Sequence, residues 1–327
     1  MGPLADSQLY ISPVFYCSLL DMWGPIRTYC PGYERTGYTR GTASHAKHYE
    51  VYYLVVACVV TGAVNIQVIE KKTTGAVMDG LTRFFNECSV PKILLPDADG
   101  AMMEALRDGV IETSDLEGSL AVEYGIAFET CPPQGHWEHG RVERRIRMLQ
   151  ESLDRSGMKG TRCHATGLLT IAKAIERQVN DVPLGLLEQP TRGGNILRIL
   201  SPNMLKLNTR TIRALKGILT IPNQAGDLMA NVQKIFNLWY QVWNDAYLPM
   251  AAQYKKWLYQ EENVCVGDIV LFRIKDSTFH SDWKIGKVDL IDVGRDNLVR
   301  SVSISYKLQG DQCRQGRAQA HGGTKTC

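Results

Sequence analysis

The sequence predicts a mixed α/β domain, then a helical segment, then a small β-rich domain. Three observations lead there. The β-branched run VYYLVVACVV at 51–60 reads as a strand buried on both faces, and the alternating AVNIQVIE at 63–70 follows it across Thr61-Gly62 as an antiparallel partner. Apolar residues then recur at helical spacing in 73–88 and again in 142–153. After Tyr254 the pattern changes to short apolar pieces punctuated by Gly and Asp. At 327 residues, the chain is long for one core, and 44% hydrophobic with 22% charged residues is a globular composition. No apolar run reaches the roughly 18 residues of a membrane span. The start, MGPLADSQLY, lacks the basic and apolar regions of a secretory signal. Nine scattered cysteines, never as Cys-x-x-Cys, argue for a reducing compartment and against a disulfide framework or zinc ribbon.

Taken in order, residues 16–25, YCSLLDMWGP, form a short apolar strand ending at Asp21 before a Gly-Pro stop. Residues 27–48, rich in Gly, Thr, Tyr and basic residues, read as a long irregular connection. After the two strands come Val77, Leu81, Phe84 and Phe85 on one helical face, and then KILLPDADG, a buried strand running into Asp97. Residues 101–108 and 115–124 read as short helices and GIAFET, 125–130, as a strand. Two prolines and two glycines mark a loop from Pro132, followed by a helix. On it Val142, Ile146, Leu149 and Leu153 make one apolar stripe, with Glu143, Arg147 and Gln150 along its edge. Three strands, helix, strand, short helices, strand, helix: this layout resembles a ribonuclease-H-like fold.

Charge is unevenly spread. Residues 1–160 hold 15 Lys and Arg against 20 Asp and Glu, residues 161–252 hold 10 against 5, and residues 253–327 hold 12 against 9. An acidic block before basic ones fits a cation-binding core flanked by polyanion-binding parts. Asp21 and Asp97 at strand ends, with Glu143 on the helix, are hard oxygen ligands of the kind Mg²⁺ requires. Two such ions about 3.5–4 Å apart activate an attacking oxygen and stabilise a leaving oxygen at a phosphodiester. Each acid alone has a plainer reading, as a turn residue or as half of a Glu143–Arg147 surface pair.

The pieces LLDMWGP, LLPDADG and PPQGHWEHGRVER resemble the three catalytic blocks of the DDE integrases of LTR retroelements. The 45 residues between Asp97 and Glu143, a longer gap than the retroviral pattern, are similar to the BEL/Pao branch. The resemblance implies a catalytic and metal-binding triad of Asp21, Asp97 and Glu143 holding two Mg²⁺ or Mn²⁺ ions. It implies a polynucleotidyl transferase that trims element 3′ ends and joins them to target DNA, with Arg144, Arg147 and Gln150 at the DNA end. Asp99 is an alternative second ligand; Asp97 is preferred because it ends the apolar run. Trp137-Glu138 resembles the Trp-Glu of some BEL/Pao members, which makes Glu138 an alternative third ligand. Glu143 is preferred because Gly140 separates Glu138 from the uninterrupted helix. His136 and His139 are expected as loop histidines on phosphate or solvent, because no third ligand follows at metal spacing.

Beyond this core, assigned to 1–160, residues 161–252 are expected as a helical extension. Leu168, Ile171, Ala172, Ile175 and Val179 share one helix face, 190–194 is a flexible break, and Phe236, Trp239 and Trp243 on a helix over 227–247 read as core. Residues 253–308 are expected as an SH3-like barrel whose "Val-Gly-Asp" and "Trp-x-x-Gly-x-Val" wording resembles the end of BEL/Pao integrases. There Lys255, Lys256, Arg273, Lys284, Lys287 and Arg300 would meet phosphates. Residues 309–327 read as a disordered tail. The implied partners are double-stranded DNA, of element ends and target, and further copies of the chain, acting in the nucleus after synthesis in the cytoplasm, with no membrane and no secretion. The family's amino-terminal zinc module, with two His and two Cys, has no counterpart ahead of Asp21, so weak integration is expected alongside DNA binding. Two rival readings remain: a non-catalytic DNA- or chromatin-binding relic of the fold, and a DDE transposase, which leaves the terminal barrel wording unexplained.

Overall fold

The computed structural model describes residues 13–29, 48–96, 101–129, 136–160, 163–191, 194–207, 226–243, 263–273, 283–294, 297–307 and 313–319. Five strands form the main sheet in the order β3-β2-β1-β4-β5: β1 Cys17–Tyr29, β2 His48–Cys58, β3 Val64–Ile69, β4 Ile93–Pro96 and β5 Ala127–Phe128. The first three pair antiparallel, whereas β4 runs parallel to β1 and β5 parallel to β4. This is the ribonuclease-H-like arrangement that the sequence predicts. The β2–β3 turn closes on Gly62 at φ +65°, a left-handed conformation that glycine adopts without steric cost.

Both faces of the sheet are covered, so its strands are apolar on both sides. On one face Leu54, Val56 and Cys58 pack with Val77, Leu81 and Phe84 of α1 (Thr74–Glu87) and with α2 (Ala101–Arg107) and α3 (Thr113–Tyr124). On the other, Tyr53, Val55 and Ala57 pack with Val142, Ile146 and Leu149 of α4 (His136–Arg155), Ile171 and Ile175 of α5 (Ala165–Asn180), and α7 (Gly226–Val242). The aromatic helix α7 docks on this core: Trp239 and Trp243 are buried, and the Trp239 indole donates to Ser152 Oγ at 2.9 Å. Among the described residues no helix is long and apolar enough to cross a membrane.

Four expectations need correction. Strand β1 does not stop at Gly24-Pro25; a register shift between Trp23 and Ile26 lets pairing with β2 resume beyond the proline. Helix α4 begins at His136 and passes through Gly140, so Glu143 lies about two turns in and Gly140 does not divide Glu138 from the helix. The helical extension contains a hairpin, β6 (Gly185–Thr191) with β7 (Gly194–Leu200), ahead of α6 (Pro202–Leu207). Its apolar stretches on either side of Gly193-Gly194 were hidden by Pro190, which an edge position tolerates. Finally, β11 (Cys313–Gln319) is a paired strand inside the expected disordered tail. CRQGRAQ carries no apolar alternation, and its pairing with β10 (Val299–Lys307) rests on main-chain bonds that need none.

The C-terminal β-sheet is a four-stranded antiparallel meander of β8 (Ile269–Arg273), β9 (Trp283–Val293), β10 (Val299–Lys307) and β11, around Val288, Val302 and Ile304. Among the described residues β8 and β11 are its edges, so they form an open sheet.

Strand β3 is an edge of the main sheet, and α5 covers it. Asn180 Nδ2 donates to the Val64 carbonyl and Asn180 Oδ1 accepts from the Val64 N–H, both at 2.7 Å. Glu176 Oε2 accepts from Ile66 N at 3.1 Å. Side chains thus make bonds that a further strand would otherwise make. Glu176 is itself held by Lys206 of α6 at 2.7 Å and Lys173 at 3.1 Å. Lys173 also reaches Glu87 at 2.6 Å, and Glu87 accepts from Asn65 at 3.0 Å and Gln67 at 2.9 Å. Burial pulls the Lys206 ammonium down, but Glu176 and Cys88 together outweigh it and hold it above the usual value. Burial likewise opposes ionisation of Glu87, yet Lys173, Asn65 and Gln67 together hold its carboxyl below 4.5.

Two outcomes are expected. A Cβ at Gly80 of α1 would stand 2.8 Å from both Ile69 Cγ2 and Leu54 Cδ2. Gly80→Val should therefore cost about 1–3 kcal/mol by overpacking, read by urea unfolding. Because Glu87 favours its ionised form when folded, its contribution is present above about pH 4.5 and fades as pH falls through the lowered folded value. Glu87→Gln should flatten the acid limb of a stability–pH profile, and an unaltered limb would remove Glu87 from that role.

Candidate active site

Asp21 stands near the middle of β1, opposite Val55 of β2, and is 1% exposed. It is a strand-end residue only on the β4 side, where the parallel register finishes with Leu20 opposite Pro96. Like Leu19 and Trp23, it alternates onto the face covered by α4. There Gln150 Nε2 donates to Asp21 Oδ2 at 2.5 Å, while the Met102 backbone N–H at the start of α2 donates to Oδ1 at 3.3 Å. The carboxylate is thus bracketed by elements from both sides of the sheet. Both of these donors are neutral, so neither cancels its charge.

The contact fixes which edge of α4 faces Asp21. Val142, Ile146, Leu149 and Leu153 are buried against the sheet, as the stripe predicts. Glu143 is half-buried and precedes Gln150 by two turns, about 20° from it around the helix. Position 138 lies about 120° from Gln150 around the same helix. Arg144 and Arg147 are exposed. Asp97 and Asp99 lie outside the described residues.

Among the described residues, which do not include Asp97 and Asp99, no group of three or more His, Cys, Asp and Glu could hold a metal ion. The chemistry of Asp21 nevertheless suits a hard cation: a buried carboxylate bonded by neutral donors, with a second carboxylate on the facing helix. In the C-terminal sheet Lys287 is exposed and Lys284 half-buried on β9. Arg273 and Arg300 belong to β8 and β10, and Lys255 and Lys256 lie outside the described residues.

Two features of the site were not foreseen. The Met102 N–H is a main-chain donor and leaves no signal in sequence. Helical phase sets Gln150 on the same edge as Glu143, and in the structure its amide nitrogen donates to Asp21.

A family model described as "Family of unknown function (DUF5641)" matches residues 228–315. No curated protein matches the chain. Solved structures that it resembles include the catalytic core domain of BIV integrase, at 17% identity over 59% of this chain and 95% of that one, with a TM-score of 0.34. The HTLV-2 integrase catalytic core domain, in its dimeric form with magnesium, is 13% identical over 43% of this chain and 73% of that one, with a TM-score of 0.25. The simian T-cell lymphotropic virus intasome, in complex with PP2A regulatory subunit B56 gamma, is 11% identical over 93% and 76%, with a TM-score of 0.34. The fold class stands on the strand order and register described above.

Proposed function

We propose that the chain is an integrase-type polynucleotidyl transferase of the BEL/Pao kind, acting on the 3′ ends of retroelement DNA and joining them to target DNA. The single observation that carries this reading is the buried Asp21 carboxylate on the central strand of a ribonuclease-H-like sheet, bonded from the helix that carries Glu143. Support for the second ligand is local: Asp97 directly follows Pro96, whose β1 partner Leu20 directly precedes Asp21.

In this reading Asp21, Asp97 and Glu143 would hold two Mg²⁺ or Mn²⁺ ions. Bound ions would supply Lewis-acid stabilisation of phosphodiester charge and a more acidic attacking oxygen. The residues of the chain do the rest. Asp21 enters the site with its orientation already set by two hydrogen bonds, so little ordering cost falls on ligand binding. Arg144 and Arg147, exposed beside Glu143, would meet the phosphates of the DNA end, and Lys287 with Arg273 and Arg300 those of the flanking duplex. No protein nucleophile is required. The partners are double-stranded DNA and further copies of the chain, and the place of action is the nucleus.

A strand-transfer assay on short duplex ends with Mn²⁺ tests the reading. Asp21→Asn and Glu143→Gln should each lower transfer by more than about 100-fold, beyond the roughly 10–100-fold typical of residues that merely support a ligand. Full activity in both variants would refute the assignment; no activity in the parent chain, with duplex binding intact, would favour the non-catalytic relic. For Arg147→Ala, the salt dependence of duplex binding should lose about one unit of log–log slope, measured by anisotropy titration.

A further inference from the structure

Gln150 is the feature that the proposed chemistry leaves unexplained. It lies on the segment of α4 most firmly held in the core: Leu149 and Leu153 are fully buried, and Ser152 accepts from the Trp239 indole at 2.9 Å. A side chain projecting from so fixed a backbone has little freedom of placement. Helical side chains also lean toward the helix N-terminus, so the Gln150 amide reaches back along the edge that Glu143 occupies. It ends on Asp21 Oδ2 at 2.5 Å, while the main chain of Met102 takes Oδ1 at 3.3 Å. One donor on each oxygen sets the plane of the carboxylate.

The identity of the donor matters as much as its position. An Arg or Lys at 150 would form a charge-assisted bond and neutralise Asp21, in competition with any cation. An apolar residue would leave a nearly fully buried carboxylate without the donor that fixes its rotamer. Glutamine combines reach, a hydrogen-bond donor and zero charge.

Building on the reading of Asp21 as a metal ligand, we infer that Gln150 is a positioning residue for it: its neutral amide holds the Asp21 carboxylate in the cation-receiving orientation without cancelling its charge. Gln150 therefore acts on cation affinity and not on DNA. The test is calorimetric titration of the full, DNA-free chain with Mn²⁺, alongside urea unfolding and duplex-DNA anisotropy. Gln150→Leu should weaken Mn²⁺ binding by about 10–100-fold, the usual effect of losing a ligand's hydrogen-bond partner. Gln150→Lys keeps a donor, and so serves if the leucine variant does not fold. It should also weaken Mn²⁺ binding by more than about 10-fold, through its charge.

Mn²⁺ affinity within about threefold of the parent in the folded variants, with duplex binding reduced in Gln150→Leu, would overturn the inference and return Gln150 to DNA contact. Asp21→Asn separates the two levels of the argument. If the parent and Asp21→Asn bind Mn²⁺ equally, the carboxylate site itself is refuted, and the inference with it. If Asp21→Asn loses binding while both Gln150 variants keep it, only the inference fails.

Discussion

The fold is organised by one strand with neighbours on both edges and helices over both faces. β1 pairs antiparallel with β2 and parallel with β4, and its side chains pack alternately into the two halves of the core. Such a strand has no solvent-facing side, which explains how Asp21 comes to be 1% exposed. An ionised group in that position is costly unless it is hydrogen-bonded. The structure meets that requirement from two helices on opposite faces of the sheet, through Gln150 and Met102 N–H. The placement of α2 and α4 is therefore linked to a single carboxylate.

The same logic operates at the sheet's edge. Among the described residues β3 has a strand neighbour on one side only, and unpaired main-chain groups on such a strand are a template for unwanted pairing. Asn180 and Glu176 of α5 satisfy these groups, and the charge of Glu176 is balanced by Lys206 and Lys173. Through Lys173 and Glu87 the network joins α5 to the end of α1. Polar residues thus act at opposite positions of this sheet. At the edge they form a network with mixed charges that closes the fold. At the centre a buried carboxylate accepts from a glutamine amide and a main-chain N–H, one on each oxygen.

Much of this was readable from residue spacing. The stripe Val142, Ile146, Leu149 and Leu153 is buried as expected, and so are the aromatic residues of α7, because a helix in water must hide its apolar face. The β2–β3 pair follows from an apolar run, a turn and an alternating run. The hairpin β6–β7 spans the break expected at 190–194, and β11 escapes a reading by pattern because CRQGRAQ has no side-chain periodicity. The start of α4 was missed because HWEHG offers no apolar period to read.

By itself, then, the sequence determined the identity of the elements and the phase of each helix, because burial of apolar area acts locally and leaves a period of two or 3.6. It also set Glu143 and Gln150 on one helical edge, a consequence of spacing alone. Only the tertiary structure decided what that edge faces. The meeting of Gln150 with Asp21 spans 129 positions of sequence and depends on how α4 crosses the sheet. Such a long-range contact is fixed by the packing of the whole core, which no local period encodes.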